Sequence, residues 1–300
     1  MMGHLRIAAA QYPPEALASL GAYRDKLARW VAEAAGAGAQ LLVFPEYGAM
    51  EYAAAAGASV AGDLAASLAA VSDALPEMDA AHAELARTYG VHILAASGPS
   101  ARGSGRYVNA ARLFAPSGGV GVQEKLIMTP FERDWGVSGG TGLKVFETAL
   151  GRIGIAICYD SEFPLLVRAQ AEAGAQIVLV PSCTEFVSGY HRVRTAALAR
   201  ALENTCVTVL SPTVGDALWS PAIDHNAGAA GVFVPADHSF SDTGVLAEGA
   251  LNRPQWVHAE VDLARLAEIK AAGEMRNSTD WPLQPGAAPL ARQAEVVALS

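Results

Sequence analysis

Short apolar runs that stop abruptly at a proline, a charged residue or a cysteine alternate with helical stripes along most of this chain. LRIAAAQY (5–12) reads as a strand that ends at Pro13-Pro14. AQLLVFPE (39–46) reads as a continuous apolar strand stopping at Pro45-Glu46, and VHILAASGP (91–99), QIVLVPS (176–182) and CVTVLSP (206–212) read as further strands. Between the first two strands, Leu27, Trp30, Val31 and Ala34 mark one face of a helix over 22–36. Helices are also expected over 76–89, 162–173 and 190–204. The first of these opens with Pro76 and acids, as a helix N-terminus favours. Strands separated by helices pair in parallel, because the crossover needs a dozen or more residues. Two stretches break that rhythm. Residues 106–126 turn at Ser117-Gly118-Gly119, and 144–158 turn near Gly151, so both read as antiparallel hairpins. Parallel units mixed with hairpins predict a layered α/β fold with mixed sheets.

Late strands are expected in GVFVPAD and PQWVHAEVD, while 213–230 is irregular and 273–300 weakly patterned. No internal repeat or charged linker divides the chain. One domain over 1–272 is expected, followed by a C-terminal tail, 273–300, packed on that domain or on a partner subunit. A chain of 300 residues with 52% hydrophobic composition can bury a sizeable core without staples. Its formal charge of −9 (21 basic against 30 acidic residues) argues against a nucleic-acid binder, which normally shows a basic face. Cys158, Cys183 and Cys206 are too scattered for a disulfide framework and suit a reducing cytoplasm. The N-terminus does not read as a signal peptide, and no apolar run reaches the roughly 20 residues of a membrane span. The histidines show no metal-ligand spacing, so neither metal nor organic cofactor is expected.

Three strand ends carry chemistry. Glu46 follows LLVFP, Lys125 closes GVQEK and Cys158 closes GIAIC. Each alone has an ordinary reading: a solvated acid, an edge charge, a small buried hydrophobe. Together they supply what a thiol hydrolase needs. A cysteine with a pKa of about 8.5 requires a base to take its proton and a nearby cation to favour the thiolate. A carboxylate can be that base when burial raises its pKa. Attack on an amide carbonyl builds an oxyanion, which an ammonium and a backbone N–H can hold. The residue after Cys158 opens a turn into a helix, where amides lack intrahelical partners, so the Tyr159 N–H is a candidate donor.

These elements, in this order, resemble the nitrilase superfamily of carbon–nitrogen hydrolases, in its amidase-like branch. LLVFPEYG with Glu46, QEKLIMTPFE with Lys125 and IAICYDSEFP with Cys158 carry the likeness, which spans roughly residues 5 to 262. Glu132, seven residues after the lysine, matches a second glutamate common in members. The resemblance implies a four-layer α-β-β-α sandwich with two mixed β-sheets. It also implies a homodimer or higher homo-oligomer paired through helices beside the site, here 162–173 and 190–204. Its mechanism assigns Glu46 as general base and acid, Cys158 as nucleophile, and Lys125 with the Tyr159 N–H as oxyanion donors. Glu132 would orient the lysine or the substrate. The expected reaction cleaves a non-peptide C–N bond of a small linear amide through a thioester, releasing ammonia and a carboxylic acid.

The chain departs from the family's CYDxRFPE pattern at Glu162, where many members carry arginine, and at Leu165, where they carry glutamate. Cys183, Thr184 and Glu185 are expected to line a comparatively polar pocket, and Tyr52 is a further substrate-side candidate, with His191 weaker. Three alternatives stay open. The same catalytic set serves nitrile or N-carbamoyl hydrolysis and acyl transfer. A Cys-His hydrolase would use His225 in AIDHNAG. A non-catalytic assembly protein could keep the fold.

Overall fold

The computed structural model describes residues 4–103, 105–284 and 294–299. Two mixed sheets are stacked face to face, with helices on both outer faces. In the first sheet the strand His4–Gln11 sits between Gln255–Asp262, antiparallel, and Leu41–Val43, parallel. Leu41–Val43 continues in parallel to His92–Leu94. The long strand Tyr107–Phe114 then pairs antiparallel with His92–Leu94, Gly98–Ala101 and Val120–Glu124. In the second sheet Gly151–Ile155, Ile177–Ser182 and Val207–Pro212 run parallel. Antiparallel neighbours flank them: Leu143–Thr148 on one side, then Gly231–Phe233 and Val245–Glu248 on the other.

The period-2 alternation of the strands explains the layering. Ile7, Ala9, Leu41 and Val43 point into the core between the sheets, with Ile153, Ile155, Val207 and Val209 facing them. Their neighbours Ala8, Ala10, Leu42 and Phe44 point outward onto the helices Leu20–Gly36 and Leu64–Tyr89. On the other flank Val167, Val193 and Ala197, from helices Pro164–Glu172 and Val187–Asn204, cover the second sheet. The result is an α-β-β-α sandwich. The sheets are tied where their strands end: the Ser211 hydroxyl donates to the Ala10 and Val43 carbonyls. Tyr12 and Thr213 bridge the same edge.

Several boundaries differ from the sequence reading. The strand expected over 39–46 pairs only at Leu41–Val43, because Phe44 onward leaves the ladder to bring Glu46 inward. The strand expected over 91–99 breaks in two around Ala95–Ser97. Pro76 does not open a helix but lies inside Leu64–Tyr89, whose N-cap is Asp63. An interior proline costs about 3 kcal/mol. Leu68, Val71, Leu75 and Met78, buried on both sides of it, offset that cost. Part of the tail is structured: Ala294–Ala298 adds a parallel strand beside Leu143–Thr148. Residues 285–293 and 300 of that expected tail lie outside the described residues.

Candidate active site

Glu46 arrives three residues past the end of Leu41–Val43 and is buried. One carboxylate oxygen accepts from Lys125 Nζ at 2.7 Å and Asn109 Nδ2 at 2.9 Å. The other accepts from the Cys183 backbone N–H at 3.0 Å. Lys125 follows the strand Val120–Glu124, its N–H donating to the Asn109 carbonyl at 2.8 Å. Its ammonium is wholly buried and reaches Glu132 at 2.6 Å.

Glu132 is held on the short helix Pro130–Asp134 by a capping box with Thr129. The Thr129 N–H and hydroxyl both donate to its Oε2 at 2.9 Å. The Tyr47 hydroxyl donates to Oε1 at 2.9 Å. One ammonium thus bridges two carboxylates, and every oxygen of both carboxylates has a donor.

Cys158 closes the ascent from Gly151–Ile155 at a 3-10 turn, Cys158–Glu162. Its φ of +47° lies in the left-handed region that a residue with a Cβ rarely enters. Such strain needs a surrounding structure that over-determines it. Here the Ser161 hydroxyl donates to the Cys158 carbonyl at 2.6 Å, and Arg200 donates to the Ser161 carbonyl at 3.0 Å. Asp160, also buried, accepts from the Leu126 and Ile127 N–H groups at 3.0 and 2.8 Å. The turn that carries the thiol is therefore clamped to the chain just beyond Lys125. Within the turn, hydrogen bonding begins with the Asp160 N–H donating to the Ile157 carbonyl, which leaves the Tyr159 N–H outside that pattern.

The electrostatics follow from burial and these pairings. Burial raises Glu46 above the usual carboxylate range, and Lys125 only partly opposes it. Burial also raises Glu132, but the ammonium and its other donors overrule that and hold it low. For Lys125, burial alone would lower the pKa, and the two carboxylates reverse the sign and keep it protonated. Burial and the charge of Glu46 push the Cys158 thiol well up. The resting site is a neutral thiol within hydrogen-bonding reach of a carboxylate that binds protons more readily than a solvated one.

These groups form the floor of a cavity of about 520 Å³, a size suited to a small molecule. Glu46, Lys125, Glu132, Cys158, Tyr159, Cys183, Thr184 and Glu185 all line it. Cys183 contributes through its backbone, since its N–H serves Glu46 and its carbonyl lies 3.8 Å from Cys158 Sγ. Thr184 has committed its hydroxyl to the Ala227 carbonyl at 2.7 Å. Tyr52 is a correction. The 3-10 helix Gly48–Ala56 turns it away from the cavity and sets it edge-on to Tyr23, with ring centroids 6.3 Å apart. Nor does His191 line the cavity, whereas His225 does, exposed at its mouth and paired to Asp216 at 2.9 Å.

Sequence reasoning missed Tyr47, Asn109 and Asp160. Asn109 had a signal: an amide in the middle of the apolar strand YVNAARLF needs a buried partner. Tyr47 had none, because its reach to Glu132 depends on a left-handed φ of +52°.

Residues 6–271 match the family model for carbon-nitrogen hydrolases. The chain is 34% identical over 279 residues to the probable hydrolase YhcX of Bacillus subtilis, an alignment covering 92% of this chain and 53% of that protein. It thus spans about half the length of that relative. It is 26% identical to the omega-amidase NIT2-B of Xenopus laevis, over 82% of this chain and 85% of the relative. Among solved structures, a carbon-nitrogen hydrolase from Helicobacter pylori G27 superposes with a TM-score of 0.72 at 20% identity, covering 90% of this chain and 92% of the other. An amidase from Nesterenkonia sp. superposes with a TM-score of 0.65 at 25% identity, covering 90% and 94%. This chain belongs to the carbon-nitrogen hydrolase family.

Proposed function

We propose that the protein hydrolyses the C–N bond of a small linear amide through a Cys158 thioester, releasing ammonia and a carboxylic acid. One observation carries this reading. The strained Cys158 turn and the buried Glu46–Lys125–Glu132 cluster meet on the floor of one small-molecule cavity.

Glu46 takes the thiol proton as sulfur attacks the carbonyl carbon. The oxyanion that forms is held by Lys125 Nζ and the Tyr159 N–H, where one lost donor costs about 3–4 kcal/mol. Glu46 then returns the proton to the nitrogen, the C–N bond breaks and ammonia leaves. Water enters and gives a proton to Glu46, and its oxygen attacks the thioester. The C–S bond breaks, the proton passes back to sulfur, and the acid departs. Glu132 fixes the ammonium so that it does not follow Glu46 alone.

Residues 1–272 form the hydrolase unit in this reading, and the strand Ala294–Ala298 covers an edge of its second sheet. The protein works in the cytoplasm, which suits its three free cysteines. It pairs with a second copy through helices Pro164–Glu172 and Val187–Asn204. Leu165 and Leu202 support that pairing, being 58% and 41% exposed on those helices.

The test is ammonia release from a panel of short primary amides, nitriles and N-carbamoyl amines, with Cys158→Ala as the blank. Turnover of amides that disappears in the blank is expected. Turnover confined to nitriles or carbamoyl amines would replace the substrate class, and Cys158-independent release would overturn the mechanism.

A further inference from the structure

The charges that line the cavity outside its floor have a consequence for substrate choice. Five acids line it: Glu46, Glu132, Glu162, Glu185 and Asp224. Against them stand Lys125, Arg192 and His225, and each of these is already paired with an acid. Lys125 holds Glu46 and Glu132, Arg192 holds Glu162 at 3.4 Å, and His225 holds Asp216 at 2.9 Å. Among the described residues Glu185 and Asp224 form no close ion pair, and the positive group acting on both is His225, which Asp216 already engages. A substrate entering here meets surplus negative charge and no free cation.

Glu162 is the acid best placed to use that surplus. It lies four residues after Cys158, at the end of the turn that presents the thiol. Its side chain is only 19% exposed, while that of its partner Arg192 is 60% exposed. The carboxylate is therefore set mostly within the wall, and the guanidinium that reaches it is a long, solvent-exposed arm. Arg192 shows that a cation can be seated on Glu162 inside this cavity. The walls suit the same guest. Tyr47, Phe131, Trp135, Tyr159 and Phe186 line the cavity, and aromatic faces attract cations.

We propose that the amide carries a cationic group, an alkylammonium or guanidinium, and that Glu162 binds it by displacing Arg192. This rests on the amide hydrolysis proposed above and names its substrate class. An amide ending in a carboxylate would find every cation in the cavity occupied and would face Glu162, Glu185 and Asp224.

Three probes of similar length test it: 4-aminobutanamide (cationic), pentanamide (neutral) and glutaramate (anionic). Wild-type kcat/KM should fall in that order, with about tenfold or more between first and second, as expected for a single buried-side ion pair. Glu162→Gln should erase most of that preference, acting on KM for 4-aminobutanamide more than on kcat. Arg192→Ala, which removes the competing arm, should lower KM for 4-aminobutanamide. Calorimetric binding of the same probes to Cys158→Ala gives a readout independent of turnover and of whether Glu162→Gln folds. The ammonium compound should bind tightest. Equal binding of all three probes would overturn the proposal, as would preference for glutaramate lost on Arg192→Ala. Cys158-dependent hydrolysis with no charge preference would sink this inference alone. Charge-selective binding with no hydrolysis of any probe would sink the amidase reading instead.

Discussion

Two lysines in this molecule are almost completely buried beside carboxylates, and only one of them faces a reactive group. Lys125 bridges Glu46 and Glu132 at 2.7 and 2.6 Å. Lys26, on the helix Leu20–Gly36, meets Glu51 at 2.7 Å, donates to the Pro13 carbonyl at 2.6 Å and lies 4.2 Å above the ring of Tyr12. The Tyr12 hydroxyl and the Glu15 N–H also donate to Glu51. Burial raises both Glu46 and Glu51, so a shifted carboxylate does not by itself mark a catalytic site. Surroundings separate the two. Lys26 meets one buried acid, Glu51, and one solvent-exposed acid, Glu15, at 3.3 Å, and none of the three lines the cavity. The Lys125 cluster has one cation for two buried acids, and its extra carboxylate borders a thiol. Two buried acids facing a cavity and a thiol can pass a proton during turnover, whereas a cluster away from any cavity can only hold segments together.

The largest effect that would break this comparison comes from Lys125→Met. Loss of an oxyanion donor costs about 10²–10³ in kcat. Without the ammonium Glu46 also protonates more readily and fails as base, so a loss beyond about 10³ is expected in an ammonia-release assay. Lys26→Met should do the reverse. Breaking a buried ion pair costs about 3–5 kcal/mol of stability, read as a lower urea midpoint. The protein that remains folded should keep kcat within about threefold, because distant sites act nearly independently. A Lys26→Met protein that is folded yet inactive would show that the two clusters are coupled and the distinction false.

pH gives a second cut through the same cluster. In the proposed mechanism Glu46 must be ionised to accept the thiol proton, and burial raises its pKa. As pH falls through that raised value the base protonates. The acid limb of kcat/KM should therefore lie above the ordinary carboxylate value of about 4.3. The stability sign is opposite. A carboxyl whose folded pKa is raised stabilises the fold at low pH and loses that contribution as pH rises through the folded value. Glu46→Gln should abolish turnover while leaving the thermal midpoint at neutral pH equal to wild type or higher. A lower midpoint at neutral pH would mean that the carboxylate holds the fold together.

How much of this was legible in the sequence depended on whether a feature was local. Strands, hairpins and the three strand-end residues are set by apolar period and by punctuation at Pro45, Gly118 and Gly151. They were readable for that reason. The helix running through Pro76 was not, because its support comes from packing against other elements. The strand Ala294–Ala298 was missed because a strand added at a sheet edge needs little patterning of its own. In the site, the Glu46–Lys125–Glu132 bridge spans 79 and 7 residues of separation. The chemistry of a thiol hydrolase joined Glu46 and Lys125 in advance, and only the resemblance added Glu132. Tyr52 was a substrate-side candidate, but it sits on the 3-10 helix Gly48–Ala56 packed against Tyr23 and does not line the cavity.

The smallest effect is expected at His225, and it sharpens what counts as the base. His225 lines the same cavity as Cys158, so a Cys-His enzyme would have to use it. Its Nδ1 is engaged by Asp216, and that hydrogen bond raises its pKa, which favours the protonated ring. The Asp216 contact ties the His225 ring to a surface acid, whereas Glu46 stands beside the thiol with its pKa raised by burial. His225→Ala should therefore change kcat/KM for a neutral amide by no more than about threefold, the scale of a substitution outside the reacting groups. The measurement is steady-state ammonia release at pH 7.5 beside Cys158→Ala. A fall to the level of that blank would transfer the role of base from Glu46 to His225. The Lys125 cluster would then be a second structural ion pair, no different in kind from the one at Lys26.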